Sequence, residues 1–189
     1  MGVLFLLLLP TLAAAEIQFV EVSAQMGIDF VHENGVSAEK RMPETNGAGS
    51  AFFDWDTDGD QDLYLVNSGH MEKGRGQSWN GLYRNEGSVF KPVVGAAGAR
   101  GESYGMGVVA ADYDSDGDPD LYLTAWGPDQ LYRSDGGNFT DATDISGFGH
   151  EGWTTSAVFL DMDLDGDLDL FAAQYIHFEL GQQPWCGRD

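Results

Sequence analysis

The sequence predicts an all-β chain of repeated four-stranded units, on three observations. Three segments align without gaps: DWDTDGDQDLYL from Asp54, DYDSDGDPDLYL from Asp112 and DMDLDGDLDLFA from Asp161. Two further pieces travel with them. One is LYRN at Leu82 and LYRS at Leu131; the other is a Phe with a Gly eight residues later, at Phe19, Phe90 and Phe139. The intervening runs are short, rich in Val, Leu, Tyr, Phe and Thr, bounded by Gly, Asp and Asn, and carry no helical periodicity. Four-stranded units of about 40–50 residues read as antiparallel blades of a β-propeller. A β-sandwich or β-solenoid is the runner-up, but solenoid coils are shorter and a sandwich does not require near-identical repeats.

The order of pieces is fixed. Gly98 to Asp112 and Gly147 to Asp161 both span 14 residues, and Tyr83 to Phe90 and Tyr132 to Phe139 both span 7. The first unit is longer because of two insertions, of 13 residues between Gly27 and Asp54 and of 9 between Asp62 and Leu82. Within a unit, the first strand (108–111, 157–160) leads into the Asp-rich loop and the second (121–125) leads out. The third lies around 131–133 and the fourth around 138–143. The stretch GESYGMG, 101–107, lacks the Lys-Ser/Thr of a phosphate loop and reads as a turn. Trp126, Trp153 and the LYR aromatics read as core and inter-blade packing.

Each loop carries Asp at relative positions 1, 3, 5, 7 and 9 and Gly at 6. The first comprises Asp54, Asp56, Asp58, Asp60 and Asp62; the second Asp112, Asp114, Asp116, Asp118 and Asp120; the third Asp161, Asp163, Asp165, Asp167 and Asp169. Carboxylates ~5 Å apart repel by about 0.8 kcal/mol per pair even in water-like dielectric, so a tight turn of this kind calls for a cation. An all-oxygen donor set without His or Cys favours Ca²⁺ over zinc or copper, and over Mg²⁺, which keeps its waters. About three Ca²⁺ are expected, one per loop, with side chains 1, 3, 5 and 9 and the carbonyl of position 7 as ligands. An EF-hand begins the same way but needs a Glu at position 12, where Leu65, Leu123 and Ala172 stand here.

The formal net charge is −22, from 31 Asp plus Glu against 9 Lys plus Arg. That excludes a phosphate-reading nucleic-acid binder. Fifteen of the acids lie in the three loops, so the rest of the chain has an ordinary balance. Residues 2–12 are nearly all apolar and Ala13, Ala14 and Ala15 follow, which reads as a signal peptide over 1–15 and a mature chain from 16 to 189 outside the cytoplasm. The run is too short to span a bilayer, and no second long apolar run exists. Cys186 stands alone, with its partner undetermined. The unit from Asp161 reaches only its second strand near Ile176, so the chain is expected to be part of a larger propeller or to associate with itself through open blade edges.

At these loops the sequence resembles the FG-GAP/VCBS repeat family, the blades of integrin-α-like propellers, over about 19–175. The segment FVHENGVSAEKRMPETNGAGSAFFDWDTDGDQDLYL, 30–65, is similar to the opening of the cartilage-acidic-protein-like group, whose bacterial members often carry an ASPIC/UnbV domain. The resemblance implies a secreted, seven-bladed, calcium-binding propeller of adhesion type, with a protein or glycan partner. The alternative is an extracellular lyase, hydrolase or oxidoreductase on the same scaffold, for which only His32, Glu33 and Glu44 in the first insertion are candidates. His70, His150 and His177 share no spacing that suggests a metal triad or catalytic pair, and a calcium sensor would need a bistable element that the sequence does not display.

Overall fold

The computed structural model describes residues 17–72, 78–147, 151–177 and 179–181. The expected signal peptide, His150 and Cys186 lie outside them. Nearly everything regular is antiparallel strand, as expected. The first blade is a four-stranded meander of β1 (Ser50–Phe53), β2 (Asp62–Leu65), β3 (Gly81–Asn85) and β4 (Phe90–Pro92). The second is β5 (Tyr104–Ala111), β6 (Asp120–Pro128), β7 (Gln130–Asp135) and β8 (Asn138–Asp141). In the third, β9 (Glu151–Leu160) pairs with β10 (Asp169–Gln174). Blades two and three are joined, because β6 runs on past β7 and pairs Trp126, Gly127 and Pro128 with Trp153, Gly152 and Glu151.

The side-chain alternation of the strands builds the interfaces between blades. Phe53, Tyr64, Val66 and Leu82 of blade one pack with Leu121, Leu123, Tyr132 and Phe139 of blade two. Tyr122 and Leu131 of blade two pack in turn against Ala157, Phe159 and Leu170 of blade three. Truncating a fully buried leucine such as Leu82 or Leu121 costs about 2–5 kcal/mol.

Two expectations about local structure are corrected. The turn expected over 101–107 is largely strand, since β5 begins at Tyr104. Its glycines serve close approach instead: a Cβ on Gly105 would sit 2.4 Å from Val66 Cγ1, and one on Gly107 2.8 Å from Thr124 Oγ1. A register shift between Gly105 and Gly107 accommodates the crowding. The fourth strand expected over 138–143 stops at Asp141, whose carboxylate accepts the Thr143 N–H at 2.9 Å and starts a short helical turn, Thr143–Ser146.

Candidate metal centre

Each Asp-rich loop closes a hairpin between the first and second strands of its blade. Phe53 faces Asp62, Ala111 faces Asp120 and Leu160 faces Asp169 across the ladder. Three loops that share little beyond Asp and Gly fold with the same wiring. The position-1 carboxylate accepts the N–H of the glycine at position 6, at 3.0, 2.9 and 3.1 Å. The position-5 carboxylate accepts the N–H of position 7 at 3.0 Å in all three. Position 9 accepts the N–H of position 2, at 2.9, 3.1 and 2.9 Å.

Two backbone positions make this compact path. The glycine at position 6 has φ of 96°, 99° and 97° in Gly59, Gly117 and Gly166, a region L side chains rarely enter. Position 4 is also left-handed although none of its residues is glycine: Thr57, Ser115 and Leu164 have φ of 57°, 58° and 65°. The turn therefore bends tightly enough for its carboxylates to converge. One oxygen each from Asp54, Asp56 and Asp58 lie within 4.8 Å of one another, as do those of Asp112, Asp114 and Asp120, and of Asp161, Asp163 and Asp169.

The electrostatics fit a cation. Asp54 Oδ1 and Asp56 Oδ1 are sealed from solvent and have no hydrogen-bond donor, which leaves negative charge buried against negative charge. Asp62 and Asp120 are themselves fully buried. Burial pushes the Asp120 carboxyl up to about 6, and repulsion from Asp114 and Asp116 acts the same way, against donation from the Ser134 and Tyr113 backbone. Burial raises Asp62 likewise. These are oxygen donors only, at a flexible turn, which suits a hard divalent ion of calcium's type.

The structure adds residues that the motif reading assigned elsewhere. Arg84 and Arg133, from the third strands, reach back onto the loops. Arg84 Nε lies 2.7 Å from Asp56 and its Nη2 3.1 Å from Asp58. Arg133 Nε lies 3.1 Å from Asp114 and its Nη2 3.6 Å from Asp116. The recurrence of LYR carries this signal, although locally its aromatics read as packing residues and nothing near the arginine points to the loop. Position 9 likewise has a second role. Asp62 accepts the Asn85 N–H at 2.7 Å and Asp120 the Ser134 N–H at 2.7 Å, so each ties its loop to the third strand.

The other nominated side chains are held in separate networks. His32 Nε2 is 3.0 Å from Ser68 Oγ, and that buried hydroxyl donates to the Gly105 carbonyl at 2.8 Å. Glu33 faces His70 at 3.2 Å and accepts the Ser78 hydroxyl. Glu44 is buried and accepts the N–H groups of Ser37 and Arg41 at 3.0 and 3.1 Å. Burial alone would raise the Glu44 carboxyl, but these donors and the Arg41 charge hold it below its ordinary value. Arg41 also meets Glu72 at 2.7 Å, so the pair braces the first insertion. His177 pairs with Glu179 at 2.8 Å.

A family model described as an FG-GAP-like repeat matches residues 54–123 and 113–172, which together make up more than half of the chain. No curated protein matches the chain.

Proposed function

The chain belongs to the FG-GAP-like repeat family, and on that premise we propose that it is a secreted calcium-binding β-propeller module that recognises a protein or glycan partner. The mature module runs from residue 16 to 189 after removal of a signal peptide over 1–15. Positions 1, 3, 5 and 9 of each loop supply carboxylates to Ca²⁺, and the carbonyls of Asp60, Asp118 and Asp167 complete the set. The observation that carries this reading is the threefold recurrence of one hydrogen-bond wiring that turns carboxylates inward, with two sealed, donorless oxygens in the first loop.

The ion's role is structural: it neutralises the loop and fixes the turn between the first two strands of a blade. An affinity on the order of 10⁻⁴ to 10⁻³ M, as in extracellular modules, is sufficient. The resemblance of 30–65 to the cartilage-acidic-protein-like group points to a propeller of adhesion type, with inserted loops and blade faces as contact surfaces. The array's open edges also favour self-association. No helix among the described residues is long and apolar enough to cross a membrane.

Thermal melting with calcium and with excess EGTA tests the metal role. At free calcium one hundred times the dissociation constant, each occupied site adds about 2.7 kcal/mol, so chelation should lower the melting temperature by many degrees. An unchanged melting curve would overturn the proposal.

A further inference from the structure

Blade one holds a cavity of about 340 Å³, within the size range of small-ligand sites. Strand register places it. Leu65 pairs with Gly81 and Tyr83 with Pro92, so the start of β3 and the end of β4 meet at the end of the blade opposite the loop that joins Phe53 to Asp62. The connection from β4 to β5 closes the wall. Tyr83, Pro92 and Val93 give the lining an apolar cast. Asn80 also lines it, but its amide already bonds the Tyr64 hydroxyl and the Asn67 N–H. The charged exception is Arg100. Its guanidinium lies 5.4 Å from the centre of the Trp79 ring, in cation–π contact. It also packs on Gly95, where a Cβ would sit 2.8 Å from Nη2.

Three observations set this cavity apart from an ordinary surface hollow. Arg41, Arg84 and Arg133 each pair with two acids or more, whereas among the described residues the Arg100 guanidinium meets no carboxylate and makes no hydrogen bond. In a chain of 31 acids and 9 bases, a cation held in place yet left unpaired calls for an anion from outside. The repeat supplies the second observation. Blade two has Pro128, Asp144 and Gly149 where blade one has Trp79, Gly95 and Arg100. The scaffold beneath them is shared: Asn80 and Asp129 each bond a second-strand tyrosine, and Leu82 and Leu131 are both fully buried. The third is the backbone. Gly95, Ala96 and Ala97 are left-handed, with φ of 62°, 48° and 52°, where blade two has the helical turn Thr143–Ser146. Alanine enters that region against its steric preference, and such strain gathers at binding sites.

We propose that this cavity binds a carboxylate attached to an apolar group, supplied by the C-terminus of a peptide with a bulky apolar last residue or by a free arylalkanoic acid. A guanidinium presents two parallel N–H groups that match a carboxylate, and stacking on Trp79 holds that fork in one plane. The lining beside it takes the apolar group. A neutral sugar, which needs many hydrogen-bond partners, is served poorly by such walls. The inference rests on the reading of the chain as a recognition module and gives its partner a chemistry. It does not involve the ions, since the Asp-rich loop lies at the other end of the blade.

The test is a nuclear magnetic resonance titration of the isotope-labelled, calcium-loaded chain, followed at the Trp79 indole and Arg100 Nε–H signals. The probes are phenylpropionate, N-acetylphenylalanine and acetyl-Gly-Gly-Phe, with N-acetylphenylalanine amide as the uncharged control. Both signals should move with the three carboxylates, with dissociation constants on the order of 10⁻⁴ to 10⁻³ M. The amide should bind about tenfold more weakly or worse. Arg100→Gln should keep the melting temperature and weaken the carboxylates by about the same factor, and Arg100→Lys, which keeps the charge without the fork, should recover only part. Tighter binding of acetyl-Gly-Gly-Phe than of phenylpropionate would assign a peptide C-terminus; equal binding would assign a free acid. Signals that stay still, signals that follow the amide equally, or affinities unchanged by Arg100→Gln would overturn the proposal. A calcium-dependent melting temperature would in that case leave the module itself standing.

Discussion

The loops of blades one and two and the loop of blade three fold alike, yet they are anchored differently. In the first two, a third-strand arginine spans positions 3 and 5, and the position-9 carboxylate accepts one N–H from the loop and another from the third strand. In the third, Asp169 accepts the Met162 N–H, and among the described residues no basic side chain reaches Asp161, Asp163 or Asp165. The comparison separates two jobs that the motif superposes. Local wiring from positions 1, 5, 6 and 9 is enough to shape the loop. Connection to the third strand decides how firmly the loop is held before any ion arrives.

The strongest way to break this comparison is at position 9. Asp120→Ala removes a fully buried acceptor and strands two backbone N–H groups, each costing about 1–3 kcal/mol. Urea unfolding in EGTA should therefore show a loss of about 3 kcal/mol. Asp169→Ala, with a single donor among the described residues and a partly exposed carboxylate, should lose about 1 kcal/mol. Equal losses would mean that third-strand anchoring contributes nothing.

The arginine comes next. A guanidinium about 5 Å from a divalent ion repels it by roughly 1.7 kcal/mol in water-like dielectric, so Arg133→Gln should tighten calcium at the second loop by up to roughly twentyfold. Calorimetric titration would report this as the second site moving away from the first, which keeps Arg84, and toward the third. Unchanged affinity would show that the arginine moves aside when the ion binds. The smallest effect is dynamic. An exposed ion pair contributes about 0.2–1 kcal/mol, so in EGTA the amides of 163–167 should exchange a few-fold faster than those of 56–60 and 114–118. Uniform exchange across the three loops would remove the distinction.

Much of this was legible in the sequence because a repeat compares itself with itself. The Asp-Gly pattern located every hairpin between first and second strands, and the Phe-to-Gly spacing marked the ends of the units. What escaped was long-range. Arg84 is 26 residues from Asp58, and nothing local says that a third-strand guanidinium returns to the loop. The double duty of Asp62 and Asp120 is equally invisible, since spacing alone assigns a carboxylate to an ion as readily as to a backbone donor. Gly105 and Gly107 depart from the expected turn for the opposite reason. Glycine signals a turn when only neighbours in sequence are considered, whereas here it yields room to Val66 and Thr124.

The overrun of β6 onto β9 has a consequence for how the molecule comes apart. By sequence the chain is a row of like units, and any seam between them is formally the same. By main-chain hydrogen bonds it is two sheets, with Trp126, Gly127 and Pro128 stitched to the start of blade three. Prising blade three away must tear that stitching and lay bare Trp153, whereas blade one leaves by parting side chains at Phe53, Tyr64 and Leu121 and two isolated main-chain bonds, Gly49 N–H to Met106 and Asn80 N–H to Arg100, with no strand ladder to tear. The grain of the protein thus runs across its sequence period: blades two and three break off as one piece, and the fracture line falls after blade one.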